Sequence, residues 1–314
     1  MHTVIEILNV VGPVFLILAL GFGLKAIGFF SAATVGQLSR LVFYVAAPIL
    51  LFRSAALTAL NEELNLHAIA AIFVVTCGQA AAIYLLCFRS RPPRRGVLAQ
   101  GTFRSNLVFV GFPIVASALG DKALGLAALY TGFVTPFYNL AAVIVLTLPH
   151  HRETGPRFPL APIVKGIALN PLIIACVAGI FFAAFRIPLP TILDRTLKLA
   201  GDVATPLALL VVGASLNFDR LRAETRAAVP VALVKLIVYP ALVFTALRWL
   251  GLGGIGLQTP VLLLAAPTAV VSHIMAREMK GDDQLAGAIV IGSTLLSLFT
   301  ISLWLAFFRW LGAW

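Results

Sequence analysis

The chain has 314 residues, of which 61% are hydrophobic and 11% charged. A soluble domain is nearer to about 45–50% apolar and about 25% charged, so the composition excludes an ordinary soluble enzyme and indicates an integral membrane protein with many spans. The formal charge of +11 would suggest nucleic acid in a soluble protein; here it fits Lys and Arg gathered in the loops on one side of a bilayer, and no nucleic-acid partner is expected.

A span needs roughly 20 mostly apolar residues. Ten such runs are predicted, over 4–24, 34–57, 65–88, 97–118, 122–148, 162–184, 192–216, 227–250, 255–278 and 282–311. The start of the chain lacks a basic region and carries Glu6, so it reads as a retained first span and not as a signal peptide. The breaks are Gly/Pro-rich or charged, as in the basic stretches 89–95 and 150–157. No connection has room for a further domain. Cys77, Cys87 and Cys176 all sit in apolar runs without CxxC spacing and read as small buried hydrophobes.

The positive-inside rule sets the expected orientation. With the N-terminus outside, fourteen Lys and Arg fall on the inner side, Lys25, Arg40 and the 89–95 cluster among them, against seven on the outer side. Both termini are therefore expected outside.

The two halves echo each other. Pro13 and Pro171 are 158 residues apart, Pro48 and Pro206 again 158, and Pro113 and Pro267 154. Five spans is an odd number, so the second set must run inverted through the membrane. The expected fold is all-α: ten transmembrane helices as two inverted five-helix repeats, 1–150 and 151–314. Helices four and nine are expected to be broken where Asn106 to Pro113 and Ala265 to His273 put helix breakers inside apolar runs. In lipid such breaks are tolerated only where protein or a water-filled cavity satisfies the freed backbone groups, and paired breaks point to a transporter's binding site.

The stretches Leu41 to Phe52, Ser105 to Pro113, Asn170 to Ile174, Thr205 to Leu216 and Pro267-Thr268-Ala269 resemble, in order and spacing, the auxin efflux carrier family, which includes the plant carriers and bacterial relatives such as malonate transporters. The resemblance covers essentially the whole chain. It implies a ten-helix fold similar to bile-acid and sodium–proton transporters, with helices four and nine crossing at their prolines. It also implies a mobile transport part on a scaffold, dimerisation and organic-anion solutes. The sequence departs from the plant pattern in its short central loop, in a missing acidic residue of the third span, and in the Val271-Ser272-His273 run that replaces an Asn often seen after the ninth-span proline.

Ionisable groups inside the membrane are rare and costly. Lys235, about two turns into the eighth span, is read as supporting the crossover, the role that the resemblance gives to sodium in related folds, or as pairing with an anionic solute; the plain alternatives are snorkelling and a tie to a carbonyl. Asn106 precedes Pro113 by two helical turns, so a continuous helix would turn both to one face; its amide suits a carboxylate, a free helix end or an interhelical tie. Ser272 and His273 follow Pro267 in the next half-helix, where the imidazole suits a carboxylate or a coupling proton, or simply packs. Arg104, two residues before Asn106, is expected on a different helix face, snorkelling inward or holding an anion. Gly111 and Thr268 are read as backbone-level contributors, beside Pro113 and Pro267 themselves, because freed N–H groups at a half-helix start favour anions. Gln79 and Asp202 are weaker candidates for crossover support.

No HExxH, P-loop, GxSxG or CxxC occurs, so no enzyme chemistry and no cofactor is expected. His150 and His151 read as a solvated pair and not a metal site. The sequence therefore points to a secondary carrier of a small organic anion, a mono- or dicarboxylate, in the cell inner membrane, working by alternating access as a homodimer. A receptor or a channel on the same fold is the alternative.

Overall fold

The computed structural model describes residues 2–57, 65–150, 168–216 and 218–312. The first part of the expected sixth span, 162–167, and the break with His151 lie outside them. Among the described residues the structure is all-helical, without strands. α1 (His2–Ala26), α2 (Ala32–Ala56) and α3 (Leu66–Leu86) lead to a helix broken into α4a (Pro92–Gly101) and α4b (Leu107–Leu119). α5 (Lys122–Thr147), α6 (Pro171–Ala184) and α7 (Thr191–Ala214) follow. α8 runs through Phe218–Leu233, Val234–Val238 and Tyr239–Trp249. A second broken helix, α9a (Gly254–Ala265) and α9b (Val271–Glu278), leads into α10 (Asp283–Trp310). Among the described residues, six helices are long and apolar enough to cross a membrane, and Gly12–Ala26, Leu107–Leu119, Pro171–Ala184 and Gly254–Ala265 are shorter apolar ones.

Short polar side chains start several helices: Ser31 accepts from Thr34 N–H at 3.0 Å, Asn65 from Ala68 N–H, Asn170 from Leu172 N–H and Asp282 from Leu285 N–H. The fourth helix starts earlier than its hydropathy suggests. Pro92 and Pro93, expected in a loop, open α4a, because proline at the first positions of a helix loses no hydrogen bond.

Three prolines leave the same mark. Val42–Ala46, Leu107–Gly111 and Val234–Val238 are π turns, and each runs into an Ala-Pro, Phe-Pro or Tyr-Pro pair. Proline cannot donate to the carbonyl four residues back, and its ring crowds that carbonyl. Widening the turn by one residue relieves the clash, so the residue before each proline bonds five back, as Ala47 N–H does to Val42 O. Pro240 leaves Leu236 O without its helical partner, and Trp304 of α10 supplies one, Nε1–H to Leu236 O at 3.0 Å.

Helices pack through glycines. α1 lies on α7 and α2 on α6. A methyl on Gly21 would collide with the Leu210 carbonyl, one on Gly213 with the Leu18 carbonyl, and one on Gly179 would stand 2.6 Å from the Phe52 carbonyl. α3 packs against α8, and α10 packs along α8 and α1. Ion pairs tie helix ends: Arg53 to Asp194 between α2 and α7 at 2.7 Å, and Arg94 of α4a to Glu224 of α8 at 2.6 Å and to Asp282 at 3.4 Å.

Candidate functional site

The two broken helices meet at their breaks. Between α4a and α4b the chain is non-helical, and Ser105 forms an antiparallel bridge with Thr268 in the gap between α9a and α9b. Asn106 N–H donates to Pro267 O at 2.7 Å, and Ala269 N–H donates to Arg104 O at 2.9 Å. Each break thus satisfies the other's freed backbone, as an apolar interior requires.

The four half-helix ends at this crossing are treated unequally. The C-terminal ends, where carbonyls carry partial negative charge, are covered by donors. Lys235, fully buried, donates from Nζ to Leu264 O at 2.6 Å and Ala266 O at 2.7 Å, and Ser105 Oγ–H also reaches Leu264 O at 2.9 Å. On the other break Thr268 Oγ1–H donates to Gly101 O at 2.9 Å and Gln79 Nε2 to Thr102 O at 2.7 Å. Thr268 N–H is held by Ser293 Oγ at 3.0 Å.

The N-terminal ends border a cavity of about 370 Å³. Asn106 to Phe109 at the start of α4b and Ala269 to Val271 at the start of α9b line it, with Arg104, Tyr138 and Asn139 among its polar lining. Asn106 Oδ1 accepts from Phe109 N–H at 3.3 Å, which leaves its Nδ2 as a donor, and Val270 gives α9b no side-chain cap. No Asp or Glu lines the cavity among the described residues.

Arg104 is 5% exposed. Its guanidinium donates to Tyr138 O at 3.1 Å and Asn139 Oδ1 at 2.6 Å, both neutral acceptors, and forms no ion pair among the described residues. A buried charge held only by neutral acceptors is costly. The sequence expectation that Arg104 and Asn106 face different ways assumes a helix. The segment is non-helical at this point, bridged at Ser105 to Thr268, and both residues line the cavity.

The other expected site residues divide. Pro113 and Gly111 are buried, with Gly111 against Leu263, and Pro267 acts through its carbonyl; none of the three lines the cavity. The π turn after Asn106 breaks the helical phase that would have aligned it with Pro113. Ser272 is 2% exposed and its Oγ finds no hydrogen-bond partner among the described residues. His273 lines a neighbouring cavity of about 410 Å³ with Lys25 and Thr294, and its Nδ1 meets Asp283 O at 2.8 Å. The two cavities share Val212, Ser215, Val270 and Ile274. Asp202 pairs with Lys198 on a solvated turn, lining neither cavity.

Asn139, Tyr138, Arg40 and Asn170 also line the cavity and are absent from the sequence-based set. Asn139 gave one signal, an amide within the apolar run of α5, while Arg40 counted only as an inner-side charge and Asn170 only as part of a family-like stretch. A buried hydroxyl chain backs the site: Tyr138 OH lies 2.9 Å from Tyr239 OH, which lies 2.8 Å from Thr76 Oγ1.

A family model described as "Membrane transport protein" matches residues 6–305. A "Putative malonate transporter" of Rhizobium meliloti is 28% identical, covering 95% of this chain and 94% of its own. An "Uncharacterized transporter" of Methanothermobacter thermautotrophicus is 27% identical, covering 93% of this chain and 95% of its own. A third relative, from Methanocaldococcus jannaschii and also named an uncharacterized transporter, is 23% identical over 95% of this chain and 97% of its own.

Proposed function

The chain belongs to the membrane transport protein family, that of the auxin efflux carriers, and from that premise we propose that it carries a small organic anion across the cell inner membrane by alternating access. The observation that carries this reading is Arg104: a buried guanidinium without a carboxylate partner, in a cavity bordered by the positive ends of two half-helices. An entering carboxylate supplies the missing charge, with Asn106 Nδ2 as a further donor. Mono- and dicarboxylates of malonate or auxin type fit this chemistry, and the name of the Rhizobium relative supports testing malonate first.

In this reading ten membrane helices form two inverted five-helix repeats. Three facts support the inversion. Adding 158 takes Gly21 to Gly179, Phe52 to Leu210 and Ala55 to Gly213. The α1–α7 close contact of Gly21 on Leu210 thereby becomes the α6–α2 contact of Gly179 on Phe52. The two breaks pair with each other. Arg40 lines the cavity and Lys25 its neighbour, both among the Lys and Arg assigned to the inner side. The conformation is then inward-open, with both termini outside. Lys235 occupies the role of a fixed cation at the crossover, so sodium coupling is not expected. A homodimer is the assembly that the family resemblance implies.

Uptake into proteoliposomes tests the reading. Radiolabelled malonate and indole-3-acetate should show saturable flux with counterflow for at least one of them. Arg104→Gln and Asn106→Ala should lower that flux by about 10–100-fold, the range for losing hydrogen bonds to a charged group. Non-saturable flux would indicate a channel, and no flux of either anion under proton or sodium gradients a receptor.

A further inference from the structure

Arg104 is held in place by an amide where an acid would be the ordinary partner. Its terminal nitrogen lies 2.6 Å from Asn139 Oδ1, as short as the Arg94–Glu224 pair at the end of α4a. Arg94 meets two carboxylates, Glu224 and Asp282, at a partly exposed surface. Arg104 is far more deeply buried, where an ion pair would gain most from the low dielectric, and it meets an amide and a backbone carbonyl. Neutral acceptors fix the direction of the guanidinium without cancelling its charge. Tyr138 O and Asn139 Oδ1 take two of its five N–H donors, and both residues lie on the one turn of α5 that faces the cavity. The remaining three N–H donors have no partner among the described residues.

We propose that Asn139 is the residue that sets the charge selectivity of the cavity: it positions Arg104 while leaving the guanidinium charge for the carboxylate of the solute. This rests on the anion-carrier reading and deepens it. An acid at 139 would be nearly isosteric with Asn and would meet Arg104 in the same geometry. It would stand in for the solute's carboxylate, closing the anion site from within. A purely structural tie predicts a stronger bond with binding undiminished, since a charged acceptor holds Arg104 at least as firmly.

The test compares Asn139→Asp, Asn139→Thr and the unaltered full-length protein, purified in detergent, with malonate and indole-3-acetate as probes. Affinity and unliganded melting temperature are measured together. Asn139→Asp should melt at or above the unaltered protein yet bind at least about tenfold more weakly, a step of about 1.4 kcal/mol. Asn139→Thr, which keeps a neutral acceptor, should stay within about threefold in affinity. An Asn139→Asp protein that binds as well as the unaltered one overturns the inference. So does an Asn139→Thr protein that folds but loses binding as completely as the acid variant, and this second arm decides if the acid variant does not fold. If the unaltered protein binds and transports neither anion, the carrier reading fails and takes this inference with it; if it binds either one while Asn139→Asp is unaffected, only this inference fails.

Discussion

Two buried cations, Arg104 and Lys235, lie near the crossing, and they differ in what their charge does. Lys235 spends two donors on the carbonyls of Leu264 and Ala266, so its ammonium is matched to the negative end of α9a. Arg104 keeps donors towards the cavity. Lys235→Ala leaves the Ala266 carbonyl without its donor and the Leu264 carbonyl with Ser105 Oγ–H alone, at about 1–3 kcal/mol for the group left unsatisfied. The variant should express and insert, melt lower and lose transport, measured by proteoliposome flux beside a melting curve. Transport at the unaltered rate would remove Lys235 from the site. Both cations stand out in the sequence because charge is rare in apolar runs. The side Arg104 faces was not legible, because it depends on the chain leaving the helix at 104–106, where Ser105 bridges to Thr268.

Helices here are shaped by residues that remove something: prolines remove N–H donors and glycines remove side chains. The π turns before Pro48, Pro113 and Pro240 follow from the missing donor. The sequence marks the positions, but not that a widened turn, in place of a full break, absorbs the strain. That choice depends on tertiary partners such as Trp304, which takes up the Leu236 carbonyl. Glycines at the α1–α7 and α6–α2 contacts let backbones touch. Gly21→Val and Gly179→Val should each destabilise the fold by about 1–3 kcal/mol or more, as overpacking does. Gly12→Val serves as the control, because a methyl there meets nothing within 4 Å. Loss of melting temperature in the first two and not the third is the expected pattern, and equal behaviour of all three would argue against the close contacts.

At the scale of the molecule, sidedness and movement are tested with cysteines in a background lacking Cys77, Cys87 and Cys176. Ser90→Cys, in the basic loop between α3 and α4a, should react with an impermeant maleimide only from the cytoplasmic side. Ser215→Cys lies between the two cavities and should react from that same side, more slowly once a transported anion is bound and the carrier redistributes. Labelling of Ser90→Cys from outside would invert the assigned topology. Labelling of Ser215→Cys that no solute changes would speak against alternating access.

The sequence by itself determined the class of molecule. Apolar length sets which segments can lie in lipid, loop charge favours an orientation, and the proline offsets announce a repeat, because all three depend on residue type along the chain. Only the tertiary structure decided which polar groups meet. The breaks at 102–106 and 266–270 are a hundred and sixty or so residues apart in the chain, and what each side chain does was fixed when they paired. Lys235, Thr268, Ser105 and Gln79 turned to carbonyl ends, Arg104 and Asn106 to the cavity, and His273 to a neighbouring one. The physical reason is that an apolar interior leaves no freed backbone group without a partner, and those partners come from whichever helices pack alongside.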